Sequence, residues 1–357
     1  MKNSDIANRR LYNQHIATAK FDKPSDVVGW MGAVQAQDYT GALWAVGLRA
    51  RNATEEGIKK AIADKTIVRT WPMRRTLHFV AAADVRWMLE LLTPRILAGS
   101  ALRSQQLGLD ERIFARSKEV FVRALEGGKQ LRRDAMYGLL ESARISTAGG
   151  RGLHIMCRLA MEGAICFGAR EGKQPTFARL DEWVPAAKTM GRDEALAELA
   201  GRYFTSHGPA TVQDFVWWSG LRTSDARAGL EMAKTHLVEE VIGGQTYWLH
   251  PSAPVAKDTS PTAYLLPAYD EYTVAYKDRR AVLDPVYSKQ MNTGNGVFSP
   301  LIVVDGQVVG TWKRTLKKDA LVITPSPFEK LNKAETRAVA AAANRYGEFL
   351  NVPVVQI

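Results

Sequence analysis

The stretch from Glu194 to Leu249 leaves the fewest ways to fold. A helical run from Glu194 to Ser206 stops at Gly208-Pro209. Thr211 is placed to cap a short helix, Val212 to Ser219, and Gly220 ends it. Thr223-Ser224-Asp225 caps the next helix, Ala226 to Thr235. Two strand-like runs, Leu237 to Ile242 and Gln245 to Leu249, then face each other across Gly243-Gly244. Helix, helix, turn, helix, hairpin is the order of a winged helix, with the helix-turn-helix at its centre.

The same order can be read twice earlier. Helical spacing runs from Ile6 to Ala19, then from a Ser25-Asp26 cap through Val34, then around Leu43 to Arg49, then from Thr54-Glu55-Glu56 to Ala63. The period then switches to two in Thr66–Trp71 and Thr76–Val80, with Pro72-Met73-Arg74-Arg75 between them. Amphipathic helices follow at Ala83–Ala98 and Glu111–Leu125. Leu131–Leu140 and Leu153–Met161 are helical, and a hairpin through Gly163–Phe167 and Thr176–Ala178 comes after them. The repetition is of plan, not of residue identity.

From Pro251 the texture changes. Pro254, Pro261, Pro267, Pro285 and Pro300 punctuate short β-rich runs, including Tyr264–Leu266, Tyr272–Tyr276, Leu301–Val304, Val308–Trp312 and Leu321–Ile323. Asp305-Gly306 joins two of these as a tight hairpin. An Ala-rich helix, Lys333 to Leu350, closes the sequence. The expected fold is α+β: three tandem winged-helix units, a small C-terminal antiparallel β-barrel and a terminal helix. The expected boundaries are 1–82, 83–190, 191–252 and 253–357, which suits 357 residues at about 100–150 per compact unit.

Charge narrows the partner. The chain carries 48 Lys and Arg against 37 Asp and Glu, a net +11, spread through folded segments rather than gathered in a tail. Such an excess favours a polyanion. Arg69, Arg74, Arg75, Arg86, Arg95 and Arg103 crowd the first hairpin and the helix after it, interleaved with Trp71 and His78. Lys313-Arg314 with Lys317-Lys318 is a second group, and Lys277-Asp278-Arg279-Arg280 a third. Arginine beside an aromatic ring grips phosphate and stacks on bases. Each such residue can equally be part of a solvated basic face, with Trp71 buried beneath it.

Other classes find little support. The two cysteines, Cys157 and Cys166, make no disulfide framework, and the six scattered histidines have no zinc-site spacing. No metal and no cofactor is expected. No nucleophile elbow or P-loop is present. The N-terminus lacks the apolar core of a signal peptide, and no apolar run is long enough to span a bilayer, so a cytoplasmic protein is expected.

Val34-Gln35-Ala36-Gln37-Asp38-Tyr39 is the remaining oddity. On a helix, residues two apart point to separate faces; on an extended backbone they point the same way. The two glutamines can therefore act together only if the helix stops there, and Gly41 is a candidate stop. Read alone, they could equally be two surface or capping amides.

Taken together, Gln35-Ala36-Gln37-Asp38, Arg69 to Val80, Leu265-Leu266-Pro267-Ala268-Tyr269-Asp270-Glu271-Tyr272 and Val309 to Arg314 resemble, in order, the winged-helix DNA glycosylases of the AlkZ-like family. The resemblance runs from about Asn8 to Leu350. It implies three tandem winged helices with a C-terminal β-barrel. It also implies a catalytic QxQ motif, here Gln35 and Gln37; a second branch of the family carries QxD. The QxQ branch is associated with self-resistance to DNA-alkylating natural products and with unhooking interstrand crosslinks. Candidate DNA contacts are Tyr39, Arg49, Arg69, Trp71, Arg74, Arg75, His78, Lys313 and Arg314. One departure is Arg75, where relatives often carry Gly.

The chemistry agrees with the motif. Hydrolysis of an N-glycosidic bond passes through an oxocarbenium-like sugar, usually served by a carboxylate and by an acid at the leaving base. Two amides do neither job strongly, but they can hold and orient a water. That suffices when the base is an N7- or N3-alkylated purine, because it carries a positive charge and leaves neutral. Asp38 is a rival for the charged role. With no lysine in the motif to form a Schiff base, the expected enzyme is a monofunctional DNA glycosylase. It would act as a monomer on double-stranded DNA with alkylated bases, bulky adducts and crosslinks included, on an open concave surface rather than in a tight pocket. The alternative is a non-catalytic winged-helix DNA-binding protein.

Overall fold

The computed structural model of the protein describes residues 3–18, 20–184, 189–251, 261–292, 294, 296–318 and 320–356. The expected boundary at 252–253 and Pro254 lie outside them. The fold is mixed α+β. Its contacts gather into two compact units, Met1–Ile58 with Leu196–Ile357, and Lys59–Ala195. This grouping cuts across chain order: the Ile67–Met73 and Thr76–Ala81 strands, expected to close the first segment, belong to the same unit as the helices that follow them.

In the first of these units, the helix-turn-helix segment and its hairpin form the expected elements. Helices Arg192–His207, Val212–Ser219 and Thr223–Ala233 precede strands Val238–Ile242 and Gln245–Leu249. Thr211 makes a full capping box: its side chain accepts from the Asp214 amide, and Asp214 accepts from the Thr211 amide. The hairpin turns at Gly243 (φ 58°) and Gly244 (φ 78°), both in the left-handed region that a two-residue hairpin turn demands.

Residues 263–356 form a five-stranded sheet in the order Val354–Gln356, Leu321–Pro327, Gln307–Leu316, Leu301–Val304, Ala263–Leu266. Three neighbouring pairs are antiparallel. The pair between Leu321–Pro327 and Val354–Gln356 is parallel, which departs from the all-antiparallel expectation. The reason is the helix Lys333–Leu350, which carries the chain back as a crossover connection, and a crossover returns a strand in the same direction. Asn351, at φ 54°, makes the turn out of that helix.

The helix also seats the segment that bears the glutamines. Trp44 packs against Tyr346 and Phe349 with ring centroids 5.0 Å apart in each case, and Trp312 meets Tyr346 at 5.2 Å. Trp44 and Trp312 donate from their indoles to the Leu265 and Leu266 carbonyls. A side chain at Gly47 would place its Cβ 2.4 Å from the Phe349 ring, so the close approach requires glycine there.

The Lys59–Ala195 unit carries the strand order Thr76–Ala81, Ile67–Met73, Ile165–Phe167, Thr176–Arg179, Leu131–Arg132. Its core joins Trp71, Phe114, Phe121, Phe167 and Phe177 to the helices Glu111–Ala124 and Arg151–Met161.

Three local expectations are corrected. The helix before the glutamines ends at Met31, not near Gly41; Gly41 is buried inside the helix Tyr39–Gly47. The first connector spans only Arg74 and Arg75, because both strands extend to meet them. Tyr272–Tyr276, read as a strand, opens as the helical turn Glu271–Val274. Asp270 accepts from the Tyr272 amide and so nucleates that turn, overriding the β propensity of Tyr, Thr and Val.

Candidate active site

The helix Pro24–Met31 stops at Gly32, whose φ of 74° and ψ of −52° suit glycine alone. The far edge of the Trp218 ring lies 3.3 Å from where a Cβ would sit. Beyond it Val34 and Gln35 are in strand conformation, and Asp38 is the extended N-cap residue of Tyr39–Gly47. Gln35, Ala36 and Gln37 thus lie between two helices, Gln35 in strand conformation and Gln37 at a bend. Gln35 is buried, Ala36 fully so, and Gln37 is exposed.

Behind this stretch lies a carboxylate that sequence reasoning quoted without assigning a role. Glu271 is completely buried. Its Oε1 accepts from the Gln35 main-chain amide at 2.8 Å, and its Oε2 accepts from the Trp218 indole at 3.0 Å. The His207 Nε2 is 3.8 Å from the same Oε2. Burial, opposed by Glu271, holds His207 below the usual imidazole range, with Arg49 and Arg10 pushing the same way as burial. Glu271 serves the backbone under Gln35 and is sealed from solvent. The one available signal for it was its place directly after Asp270 in the Leu265–Tyr272 motif.

Arg49, a candidate DNA contact, is corrected by its surroundings. It is 1% exposed. Its Nη1 and Nη2 donate to the two oxygens of Asp270 at 3.0 and 2.8 Å, and its remaining bonds go to the Gln14 and Ala45 carbonyls and the Gln14 side chain. A guanidinium so engaged has no reach to a phosphate. Lys313 and Arg314, in contrast, are exposed on the Gln307–Leu316 strand. Arg314 donates to the Tyr346 hydroxyl and, at 2.9 Å, to Thr40 Oγ1. Thr40 in turn donates to Asp38 Oδ1 at 3.0 Å. Asp38, the rival acid, is thus tied to a hydroxyl beside Tyr39, which is itself half-buried.

In the Lys59–Ala195 unit, the first hairpin also departs from the expected contact surface. Trp71 is buried against Phe167 with centroids 5.0 Å apart, and Arg69, also buried, lies 4.7 Å over the same ring. His78 is fully buried, its Nδ1 3.0 Å from the Thr76 carbonyl. Both rings belong to the interior of this unit rather than to its exposed surface. The turn residues remain toward solvent: Arg74 is half-buried and Arg75 exposed, at φ 51° and 58°. The left-handed φ at Arg75 explains why glycine would suit that position.

Among the described residues there is no cluster of His, Cys, Asp and Glu able to hold a metal ion, and no helix is long and apolar enough to cross a membrane. What the first unit presents is a pair of neutral amides between two helices, the first of them held by Glu271, beside a strand that exposes cations.

A family model described as DNA glycosylase AlkZ-like matches residues 28–349. The chain belongs to the AlkZ-like DNA glycosylase family. Among curated relatives of this AlkZ-like protein is an interstrand DNA cross-link repair glycosylase of Streptomyces sahachiroi. The two are 28% identical over 369 aligned residues, covering 97% of this chain and 96% of that one. The solved structure of the Streptomyces sahachiroi DNA glycosylase AlkZ has the same fold, with a TM-score of 0.83 at 24% identity over the whole of both chains. Family membership makes the chain a DNA N-glycosylase, a hydrolase of N-glycosyl bonds.

Proposed function

We propose that this glycosylase releases cationic N7- or N3-alkylated purines from double-stranded DNA and leaves an abasic site, with Gln35 and Gln37 as its catalytic amides. The observation that carries the reading is the break between the helices Pro24–Met31 and Tyr39–Gly47, where Gln35 lies in a two-residue strand and Gln37 at a bend, both outside helical register, while Glu271 holds the Gln35 main chain. Gln37, exposed, meets the sugar and the attacking water; Gln35, buried, aligns that water from behind. The water oxygen bonds to C1′ and its proton passes to solvent. The glycosidic electron pair leaves with the base and cancels its positive charge, so no general acid is required. The buried carboxylate nearest in space to Gln35 is committed to main-chain and indole donors, which agrees with a mechanism that uses neutral amides.

The same reading takes in bulky adducts and interstrand crosslinks, as the name of the Streptomyces relative suggests for that enzyme. It divides the chain into three winged-helix segments, 1–82, 83–190 and 191–252, and a barrel segment, 253–357, working as a cytoplasmic monomer without a cofactor. Lys313 and Arg314 are its phosphate contacts, joined by Arg74 and Tyr39. The test is base release from a duplex carrying N7-methylguanine, run with wild type, Gln35→Ala and Gln37→Ala. Release abolished by both substitutions at unchanged duplex affinity supports the assignment. Binding without release, from this or a bulkier N7 adduct, rejects it in favour of a non-catalytic DNA-binding protein, and release that survives both substitutions rejects the site.

A further inference from the structure

A cavity of about 290 Å³ opens in the Lys59–Ala195 unit, among the strand residue Trp71, the helix Val85–Ala98 and the helix Arg151–Met161. Its walls are apolar, with Trp71, Leu97, Leu107 and Met161, and Leu153 is 44% exposed. Its charged groups are all cationic. Arg75, Arg103 and Arg158 line it together with His154, and no carboxylate does.

The charge balance of these arginines is uneven. Arg158 is neutralised by Glu111 at 2.7 Å and Glu162 at 2.6 Å. Arg75 donates to the Ser100 hydroxyl at 2.6 Å, and Arg103 donates to the Gln106 amide at 3.3 Å, both neutral partners. The three guanidinium fields meet at His154, which burial, and then Arg75, Arg103 and Arg158, hold below the usual imidazole range. His154 pairs with Ser104 Oγ at 2.9 Å. The cavity's thiol, Cys157, is pushed by burial up to about 12, so it stays protonated and does not oppose an anion.

Apolar walls with an aromatic face select a ring, and unneutralised arginines select a negative charge. We propose that this cavity binds a free, small, planar organic anion: one or two fused aromatic or heteroaromatic rings carrying a single carboxylate, sulfonate or phosphate. The ring lies along Trp71 and Leu97, and the anionic group faces Arg75 and Arg103. The volume sits at the lower end of small-molecule sites, which run from about 300 Å³ upward. A phosphate held in the DNA backbone would supply the charge but leave the apolar walls unfilled.

The experiment is calorimetric titration of the full chain with 1-naphthalenesulfonate, its neutral sulfonamide counterpart and inorganic sulfate. The sulfonate is expected to bind at one site, and the other two at least about tenfold more weakly, since a charge-assisted bond contributes about 1.5–3 kcal/mol and tenfold is 1.4. Arg103→Gln, an exposed change, should weaken the sulfonate by a similar factor with the thermal midpoint unmoved. No binding, equal binding of the sulfonamide, or unchanged affinity in Arg103→Gln would overturn the proposal. Displacement of the sulfonate by unmodified duplex DNA would overturn it too, assigning the arginines to the DNA backbone.

Discussion

The main-chain amide of Gln35 donates to the Oε1 of Glu271 at 2.8 Å, across 236 positions of sequence. The same carboxylate takes the Trp218 indole, and a Cβ at Gly32 would sit only 3.3 Å from that ring. The position of Gln35 is therefore set by the C-terminal half of the chain. Glu271→Gln keeps the shape but turns one acceptor into a donor facing a donor. We expect a loss of about 2–3 kcal/mol in urea unfolding, the cost of a buried unsatisfied group. Base release should fall further than that of a surface control such as Val286→Thr. Wild-type release in Glu271→Gln would show that Glu271 does not position Gln35.

Gln37 and Gln35 differ in burial, and their substitutions should differ in kind. Gln37→Ala is expected to leave stability within about 0.5 kcal/mol, as for other exposed sites. Its release rate should fall by about 10²-fold or more, the scale of losing a positioning group. Gln35→Ala should lower release and also the unfolding midpoint. Denaturation curves beside single-turnover rates separate the two, and equal midpoints would mean the burial of Gln35 is energetically idle.

Arg49 and Asp270 form a bidentate pair, at 1% and 0% side-chain exposure. Replacing either by alanine strands its partner and should cost about 3–5 kcal/mol. The double change Arg49→Met with Asp270→Leu should cost much less than the two single changes added together, because no charge is left unpaired. Duplex binding gives a second readout. Arg49→Met should leave the salt dependence of affinity unchanged, whereas Lys313→Gln should reduce the slope by about 1. A reduced slope in Arg49→Met would return that residue to the DNA surface.

Lys20 supplies a pH dependence. Burial, with Arg49 and Arg345 nearby, lowers its pKa from the ordinary 10.5 to about 7. Between those values the unfolded chain holds a proton that the folded chain does not, so stability from this group rises with pH across that window. Below about 7 both states are protonated and the charge-burial cost is fully present. The unfolding midpoint of wild type should climb from pH 7 to 9 relative to Lys20→Met. Parallel curves for the two proteins would contradict the shift.

Much of the fold was legible because its signals are local. Thr211, Gly220 and Gly243-Gly244 cap and turn their own neighbours, and the elements between them need no distant partner to be recognised. The misreadings share a cause. Tyr272–Tyr276 has strand composition, but the Asp270 side chain captures the Tyr272 amide and starts a helical turn. Trp71 and His78 sit among arginines in sequence, yet both strands of their hairpin are buried along nearly their whole length, and Trp71 packs on the Phe167 ring.

The candidate site divides in the same way. That Gln35-Ala36-Gln37 lies outside a helix could be read directly, because two amides at that spacing face together only off a helical backbone. Where the helix stops, which glutamine is buried, and that Arg49 belongs to Asp270 were decided by tertiary structure. Each depends on a group remote in the chain: Trp218 against Gly32, Glu271 beneath Gln35, Asp270 facing Arg49. Caps, turns and periodicity act over a few residues, so one sequence displays them. A buried charge finds its partner only when the chain closes on itself, and the cost of leaving it unpaired then chooses the partner.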